Sequence, residues 1–469
     1  MKYSLRPYQK QGVDQIREQF KPKGHNVLYQ LPTGGGKTVV FSYITEGAAA
    51  RNKRVLILVH RAELLRQSSD SLDEIGVQHG IIAPGCDHDP LATVQVASVQ
   101  TLVKRLGIIP EPDLIISDEA HHAQASTWTK IFSHYRNSRI LGVTATPVRL
   151  DGKGLGRAAG GFFDSMVHGP SVKDLIQGGY LSKPRVFTAP VGADLSDMKK
   201  SRGEFEAKQA AGLLNKPHIL GCAVAHYRNY VQGAPTIAFC STVEHAESVA
   251  EEFRRAGFSA ASIDGTLHDT DRRARIRDLG NGTLNVLTSC EIISEGTDIP
   301  VVAAAILLRP TASLSLYLQQ IGRALRPYPG KEHAIILDHV MNAYRHGLPD
   351  EDRVWTLEGD DKAKRQQKDE VKGKQCPECY YFHEPARKCP ACGFEYISSG
   401  GQGLTQVAGE LIEADPAVLM AARREELREE WDCKTLDDFQ ALAKRRGYKP
   451  GWAFFRWKFK RQRETGVAA

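Results

Sequence analysis

Eight residues, Leu31-Pro-Thr-Gly-Gly-Gly-Lys-Thr38, constrain this chain more than any other stretch. They follow a strand-forming run, Asn26-Val-Leu-Tyr-Gln30, and precede an apolar, helix-compatible run from Val39. A glycine-rich turn between a strand and a helix is a phosphate cradle in physical terms. Around Thr33, the residues Gly34, Gly35 and Gly36 carry no side chain to hold a phosphate away from backbone N–H groups. The new helix adds its unpaired N–H groups and positive dipole end. Lys37 then reaches the β- and γ-phosphates of a nucleoside triphosphate such as ATP, and Thr38 holds Mg²⁺. The strict pattern has glycine five residues before Gly36, where this chain has Leu31. Taken alone, the stretch also reads as a glycine-rich turn without a ligand.

A chain of 469 residues is long enough for two to four domains. Its 41% hydrophobic and 25% charged content are those of an ordinary soluble protein. No run of about 18 apolar residues is present, so no membrane span is expected. The first residues, Met-Lys-Tyr-Ser-Leu-Arg-Pro-Tyr, lack the apolar centre of a signal peptide, and a cytoplasmic protein is expected. The net charge of +7 is a mild bias toward anionic partners. Of nine cysteines, four fall in two Cys-x-x-Cys pairs, which points to one metal site plus reduced thiols instead of a disulfide framework.

From the N-terminus, residues 1–20 read as an amphipathic helix entered through Arg6-Pro7-Tyr8-Gln9, with Val13, Ile16 and Phe20 on one face. Arg6 and Gln9 read either as solvated polar residues or as a guanidinium and an amide able to bond an adenine edge. Val55–Val59 is an apolar run of buried-strand length ending at His60-Arg61, and Thr93–Ala97 is another, followed by Ser98. Asp113-Leu-Ile-Ile-Ser-Asp118 ends in two acids, Asp118 and Glu119, and then His121. Carboxylates at the carboxyl edge of a parallel sheet lie where such sheets bind ligands. Asp118 is expected on Mg²⁺ and Glu119 on the attacking water; an acidic helix start matched to its dipole is the other reading. Ile140–Pro147 is a further strand ending in Thr144-Ala-Thr146.

A second α/β pattern begins near Pro217. Strands are expected at Thr236–Cys240, Ala260–Asp264, Leu284–Thr288, Ala303–Leu308 and Ala334–Asp338, with helices over Val243–Phe253 and Ser313–Leu325. The last helix carries Gln319, Gly322, Arg323 and Arg326; two arginines three apart share a face. They read as surface arginines or as arginine fingers aimed at a phosphate on another domain.

Over residues 1–345 this ordered set of motifs resembles a superfamily 2 helicase of the DEAD/DEAH-box kind, and is most similar to RadD-like bacterial and phage DNA repair ATPases. The resemblance implies two tandem RecA-like parallel-sheet domains. It makes Arg6 and Gln9 an adenine-reading pair, Leu31–Thr38 the phosphate loop and Asp118-Glu-Ala-His121 the acidic motif. Thr144-Ala-Thr146 becomes a coupling motif, Gly296 and Asp298 nucleotide contacts, and Gln319 with Arg323 and Arg326 catalytic residues of the second domain. His60, Arg61, Ser98, Thr242 and Thr288 are then candidate nucleic-acid contacts. The implied activity is ATP hydrolysis driving translocation on nucleic acid, DNA in preference to RNA, in a bacterial or phage-infected cell, with recombination or single-strand-binding proteins as partners. An RNA helicase and an ATP-liganded clamp that does not unwind are the competing readings.

Expected boundaries are 1–190 for the first domain, 191–215 for a connecting segment, 216–348 for the second domain and 349–374 for a charged linker. Residues 375–397 carry Cys376-x-x-Cys379 and Cys389-x-x-Cys392, a four-thiolate Zn²⁺ module of zinc-ribbon type. A core this small needs the metal to fold. Residues 405–469 read as a helical basic tail, with nine Lys or Arg against one acid from Lys444 onward. There Trp452, Trp457, Lys458 and Lys460 either bind nucleic acid by stacking and phosphate neutralisation or serve as packing and a solvated face.

Overall fold

The computed structural model describes residues 4–122, 126–149, 154–188, 217–290, 302–359 and 432–445, with short pieces at 200–201, 204–205, 374–375, 382–383, 412–413, 453–454, 457 and 460. The first sheet contains β1 (Val27–Gln30), β2 (Val55–Val59), β3 (Gly80–Ile82), β4 (Val94–Ser98), β5 (Leu114–Asp118), β6 (Arg139–Thr144) and β7 (Ser165–His168). Its seven strands lie in the order β3-β4-β2-β5-β6-β1-β7 and all run parallel. Every residue of β2, Val-Leu-Ile-Leu-Val, is buried, as a strand covered on both faces requires. The register levels the strand ends: Gln30 pairs with Thr144, and Asp118 with Val143. The phosphate loop, the acids and the Thr144 turn therefore share one carboxyl edge.

The first helix spans Pro7–Gln19 with proline at its start, and Val13 and Ile16 pack into the core around Tyr29, Leu31 and Phe41. The expected strands are present within a residue or two of their predicted bounds, except that the one expected over Ile140–Pro147 ends at Thr144. Among the described residues no helix is long and apolar enough to cross a membrane.

The second sheet takes β8 (Lys183–Thr188). After the small antiparallel pair β9 (Lys200–Ser201) and β10 (Glu204–Phe205), it continues with β11 (Thr236–Phe239), β12 (Ala260–Ile263), β13 (Val286–Ser289), β14 (Ala304–Leu307) and β15 (His333–Asp338). The pair β16 (Lys374–Gln375) and β17 (Phe382–His383) is antiparallel, and β18 (Ile412–Glu413) closes the second sheet. Its order is β12-β13-β11-β14-β15-β8-β18, parallel except for β18.

Two boundaries are corrected. Strand β8 falls inside the expected first domain, 1–190, but pairs along six residues with β15 of the second sheet, from His333↔Lys183 to Asp338↔Thr188. Its sequence, Lys-Pro-Arg-Val-Phe-Thr, has no apolar run to announce it. Among the described residues β18 pairs with Phe187 and Thr188 and not with Pro184, a position at which proline's missing N–H costs no ladder bond on that side. The start of the expected linker, residues 349–359, is a strap that returns to the first domain. Leu357 packs against that domain's core, and its carbonyl accepts from Gly156 N at 2.8 Å. A Cβ on Gly154 would stand 1.9 Å from the Leu357 carbonyl oxygen, so this crossing needs glycine.

Candidate active site

The glycine loop is hung from β6. Leu31 N donates to the Thr144 carbonyl at 3.0 Å, and Gln30 Nε2 to the Ala145 carbonyl at 3.1 Å. Leu31 is fully buried. A Cβ on Gly35 would lie 2.8 Å from Leu31 Cγ, and one on Gly169 2.7 Å from its Cδ1. The departure from the strict glycine pattern is thus a packing anchor under the loop. Gly34 and Gly36 have φ of 85° and 84°, the left-handed region that favours glycine. Gly36 caps the helix Lys37–Ala49 without a side chain, so the helix start presents backbone alone. Lys37 and Thr38 are its first two residues. A bare backbone cradle with these side chains fits a triphosphate, and hydroxyl and carboxylate oxygens from Thr38 and Asp118 suit Mg²⁺.

Arg6 and Gln9 brace the loop from behind. Gln9 Oε1 accepts from Arg6 N at 3.0 Å, and its Nε2 donates to the Gly35 carbonyl at 3.1 Å. Tyr8 Oη donates to the same carbonyl at 2.8 Å. The Arg6 guanidinium donates to Tyr8 Oη at 3.1 Å and lies 4.8 Å over the Tyr180 ring. Tyr8 and Tyr180 were not legible as site residues: a tyrosine near a motif carries no pattern of its own.

Lys37 Nζ stands 3.8 Å from Glu119 Oε1, with 12% and 10% of the side chains exposed. Asp118 Oδ1 accepts from Glu119 N at 2.9 Å. Glu119 has φ of 46°, a left-handed backbone that a non-glycine residue holds only when its surroundings fix it. His121 Nδ1 lies 3.3 Å from Glu119 Oε2 and 3.1 Å from Thr144 Oγ1. Thr144 Oγ1 in turn accepts from Thr146 N at 3.2 Å. Thr146 Oγ1 donates to Ser315 Oγ at 2.6 Å, on the second domain's helix Leu314–Ala324. The Thr-Ala-Thr turn physically joins the acids to that helix.

The same helix brings Gln319 and Arg323 to the seam, both nearly fully buried. A Cβ on Gly322 would lie 2.5 Å from Thr33 Cγ2, so this face sits directly on the phosphate loop. Thr33 Oγ1 and Gln319 Nε2 are buried without hydrogen-bond partners among the described residues. Lys331 holds the helix end: its ammonium donates to the carbonyls of Val302 at 2.7 Å, Arg326 at 2.9 Å, and Ala324. A cation there complements the negative end of the helix dipole, while burial lowers the Lys331 pKa to about 7. Burial also lowers that of Arg326. A cavity of about 310 Å³ opens along the seam between Pro32, Thr33, Gly322 and the strap residues Arg353 and Trp355.

Of the expected nucleic-acid contacts, His60, Arg61 and Ser98 share the first sheet's edge, where Val59 pairs with Ser98. Ser98 Oγ donates to Gln100 Oε1 at 3.0 Å, and Gln100 Nε2 to the His60 carbonyl at 3.1 Å. Thr242 caps the helix Val243–Arg255, accepting from His245 N at 3.1 Å. Thr288 is corrected: it is fully buried, and its hydroxyl donates to the Ala246 carbonyl at 2.8 Å. It faces the covering helix and cannot meet a phosphate. In the tail, Trp457 packs against a small core containing Cys433, Phe439 and Leu442, and Lys460 Nζ donates to the Cys433 carbonyl at 2.8 Å. Gly296, Asp298, Trp452, Lys458 and the cysteines 376, 379, 389 and 392 lie outside the described residues. Among the described residues no three potential ligands cluster as a metal site.

Comparison with known proteins agrees with this geometry. Residues 2–149 match the family described as type III restriction enzyme, res subunit, and residues 216–328 match the helicase conserved C-terminal domain. The chain is 37% identical over 372 residues to a 51.5 kDa protein of Lactococcus phage isolate 7-9, covering 79% of this chain and 78% of that one. It is 31% identical over 358 residues to the inferred ATP-dependent helicase IRC3 of Saccharomyces cerevisiae, covering 72% of this chain and 51% of the yeast protein. The chain therefore spans about half the length of that relative. Among solved structures, the ATP-dependent type ISP restriction-modification enzyme LlaBIII bound to DNA superposes with a TM-score of 0.54 at 19% identity, covering 71% of this chain and 28% of that one. With both halves of the site assigned to matched domains, the chain belongs to the superfamily 2 helicases, ATP-dependent nucleic-acid enzymes with two RecA-like domains.

Proposed function

We propose that this chain is a DNA translocase or helicase that couples ATP hydrolysis to movement along the strand, in repair, recombination or replication. The observation that carries the reading is the closed seam, in which the second domain's Gly322 face rests on the loop that holds Lys37. Lys37 and the loop backbone hold the phosphates, and Glu119 orients and deprotonates the attacking water. Arg323 and Arg326 approach from the opposite domain and neutralise charge that develops on the transferred phosphoryl group. Mg²⁺, held by Thr38 and Asp118, supplies further charge neutralisation when bound. Because the two halves lie on different domains, turnover requires closure, and closure moves whatever strand lies across His60, Arg61, Ser98 and the second domain. Contacts to backbone phosphate make binding weak in sequence preference and strong in salt dependence.

DNA is preferred over RNA on the resemblance of the ordered motifs to RadD-like DNA repair ATPases. The run Leu5-Arg-Pro-Tyr-Gln9, the stretch Leu307–Tyr317 and the trailing cysteines support a RadD-like repair role in the cytoplasm of a bacterial or phage-infected cell. Recombination or single-strand-binding proteins are the matching partners. Two Cys-x-x-Cys pairs support one structural Zn²⁺, and the antiparallel pair of β16 and β17 brackets the first of them. Metal analysis of purified chain should find one zinc, lost in Cys376→Ser.

The central test measures ATP turnover with single-stranded, duplex and branched DNA and with RNA. DNA should stimulate, and Lys37→Ala should lose turnover while keeping the fold. Stimulation by RNA alone would overturn the DNA assignment, and turnover retained in Lys37→Ala would overturn the site.

A further inference from the structure

Beside the nucleotide site, three histidines and a tryptophan meet at the first sheet's carboxyl edge. The His60 ring centroid is 4.6 Å from that of His122, which is 4.2 Å from that of His121. Trp128 backs the group, 6.2 Å from His60 and 6.3 Å from His122, its plane within 29° of the His122 ring. Trp128 is fixed in turn, its Nε1 donating to Ser117 Oγ at 3.2 Å, one residue before Asp118. The two ends of the group reach different chemistry. His60 sits between β2 and Arg61, at the expected phosphate-contacting edge, and its carbonyl is bonded to Gln100, which also holds Ser98. His121 lies 3.3 Å from Glu119.

We propose that His122 is a positioning residue that couples nucleic acid to hydrolysis: its ring, packed between His60 and His121 and stacked on Trp128, carries the placement of His60 through to the Glu119 carboxylate. This rests on the functional reading above. Close-packed rings do not deform continuously, so a shift of His60 on phosphate contact is passed on as a shift of the whole cluster. Glu119 is sensitive to such a shift because its backbone is left-handed and its side chain is paired with His121. The His122 backbone is tied to the same acid, its N–H donating to the Glu119 carbonyl at 3.0 Å, a bond that substitution of the ring leaves in place.

The experiment uses the full chain and compares His122→Gln, which removes the ring, with His122→Phe, which keeps it. Three quantities are read: turnover without nucleic acid, affinity for a fluorescent single-stranded oligonucleotide, and turnover at saturating oligonucleotide. In His122→Gln the first two should be unchanged while saturated turnover falls about three- to tenfold, the coupling a packed aromatic pair supports. His122→Phe should recover most of it. Equal stimulation in His122→Gln and the natural chain overturns the proposal, as does a loss of affinity or of unstimulated turnover in step with the loss of stimulation. So does failure of His122→Phe to recover, since a ring-independent role would then act. A natural chain that no oligonucleotide stimulates overturns the functional reading itself; stimulation that survives in His122→Gln overturns only this inference.

Discussion

Each sheet ends one of its strands in a carboxylate, and the two carboxylates have opposite fates. At the end of β15, Asp338 is fully buried and accepts from Val340 N at 3.2 Å and Ala343 N at 2.7 Å, with the Thr188 hydroxyl at 3.5 Å. It pins the turn that follows, and burial raises its pKa. At the end of β5, Asp118 accepts from Glu119 N, and Glu119 turns through a left-handed backbone toward Lys37. In sequence the two strand ends, Leu-Ile-Ile-Ser-Asp118 and Ala-Ile-Ile-Leu-Asp338, are nearly the same signal. The two ends differ in how far the backbone holds the acid: two N–H groups of the following turn enclose Asp338, whereas one N–H bonds Asp118 and the next acid, Glu119, is left to face Lys37.

The comparison can be broken at either end. Glu119→Gln should lower ATP turnover by about 10²–10⁴, the range for losing a general base, while nucleotide binding and thermal stability persist; steady-state kinetics beside a melting curve decide it. Asp338→Ala should do the reverse. It leaves two buried N–H groups without an acceptor and should cost about 3 kcal/mol of stability by denaturant titration, with turnover per folded molecule retained. Turnover lost without stability in Asp338→Ala would erase the distinction.

A smaller effect separates the domains by pH. In the second domain, burial lowers the His245 pKa to about 4. Its unfolded value is near 6.5, so the folded chain resists a proton that the unfolded chain accepts. The contribution is present above the unfolded pKa and is lost as pH falls from there toward the folded value, about 2 kcal/mol by pH 5. His339, lowered to about 3 by burial and the nearby His226, acts in the same direction. Melting curves between pH 7 and pH 5 should show this loss, and His245→Gln should shrink it; an unchanged slope in that variant would exclude His245 as the cause.

The parts of the molecule that were legible in sequence are those where one physical demand dominates. Buried parallel strands such as Val55–Val59 need unbroken apolar runs, and the loop from Gly34 to Thr38 needs glycine before lysine. What was hidden depended on partners far away in sequence. Strand β8 is recognisable only beside β15, and Thr288 looked available until the helix Val243–Arg255 covered it. Tyr180 and Lys331 act through a ring and three carbonyls that no spacing rule brings together. The doubled His121-His122 was visible, but its packing on His60 needed β2 and β5 side by side.

The strap at Leu357 has a mechanical consequence. The backbone passes between the domains before β8, is fastened to the first domain again at Gly156 by residues 349–359, and rejoins the second sheet at β18. A single covalent tether permits swing, twist and slide; each further attachment removes some of that freedom. Domains tied at separate points open and close over a narrower range of paths, and a motor so confined has its stroke shaped by geometry as well as by diffusion.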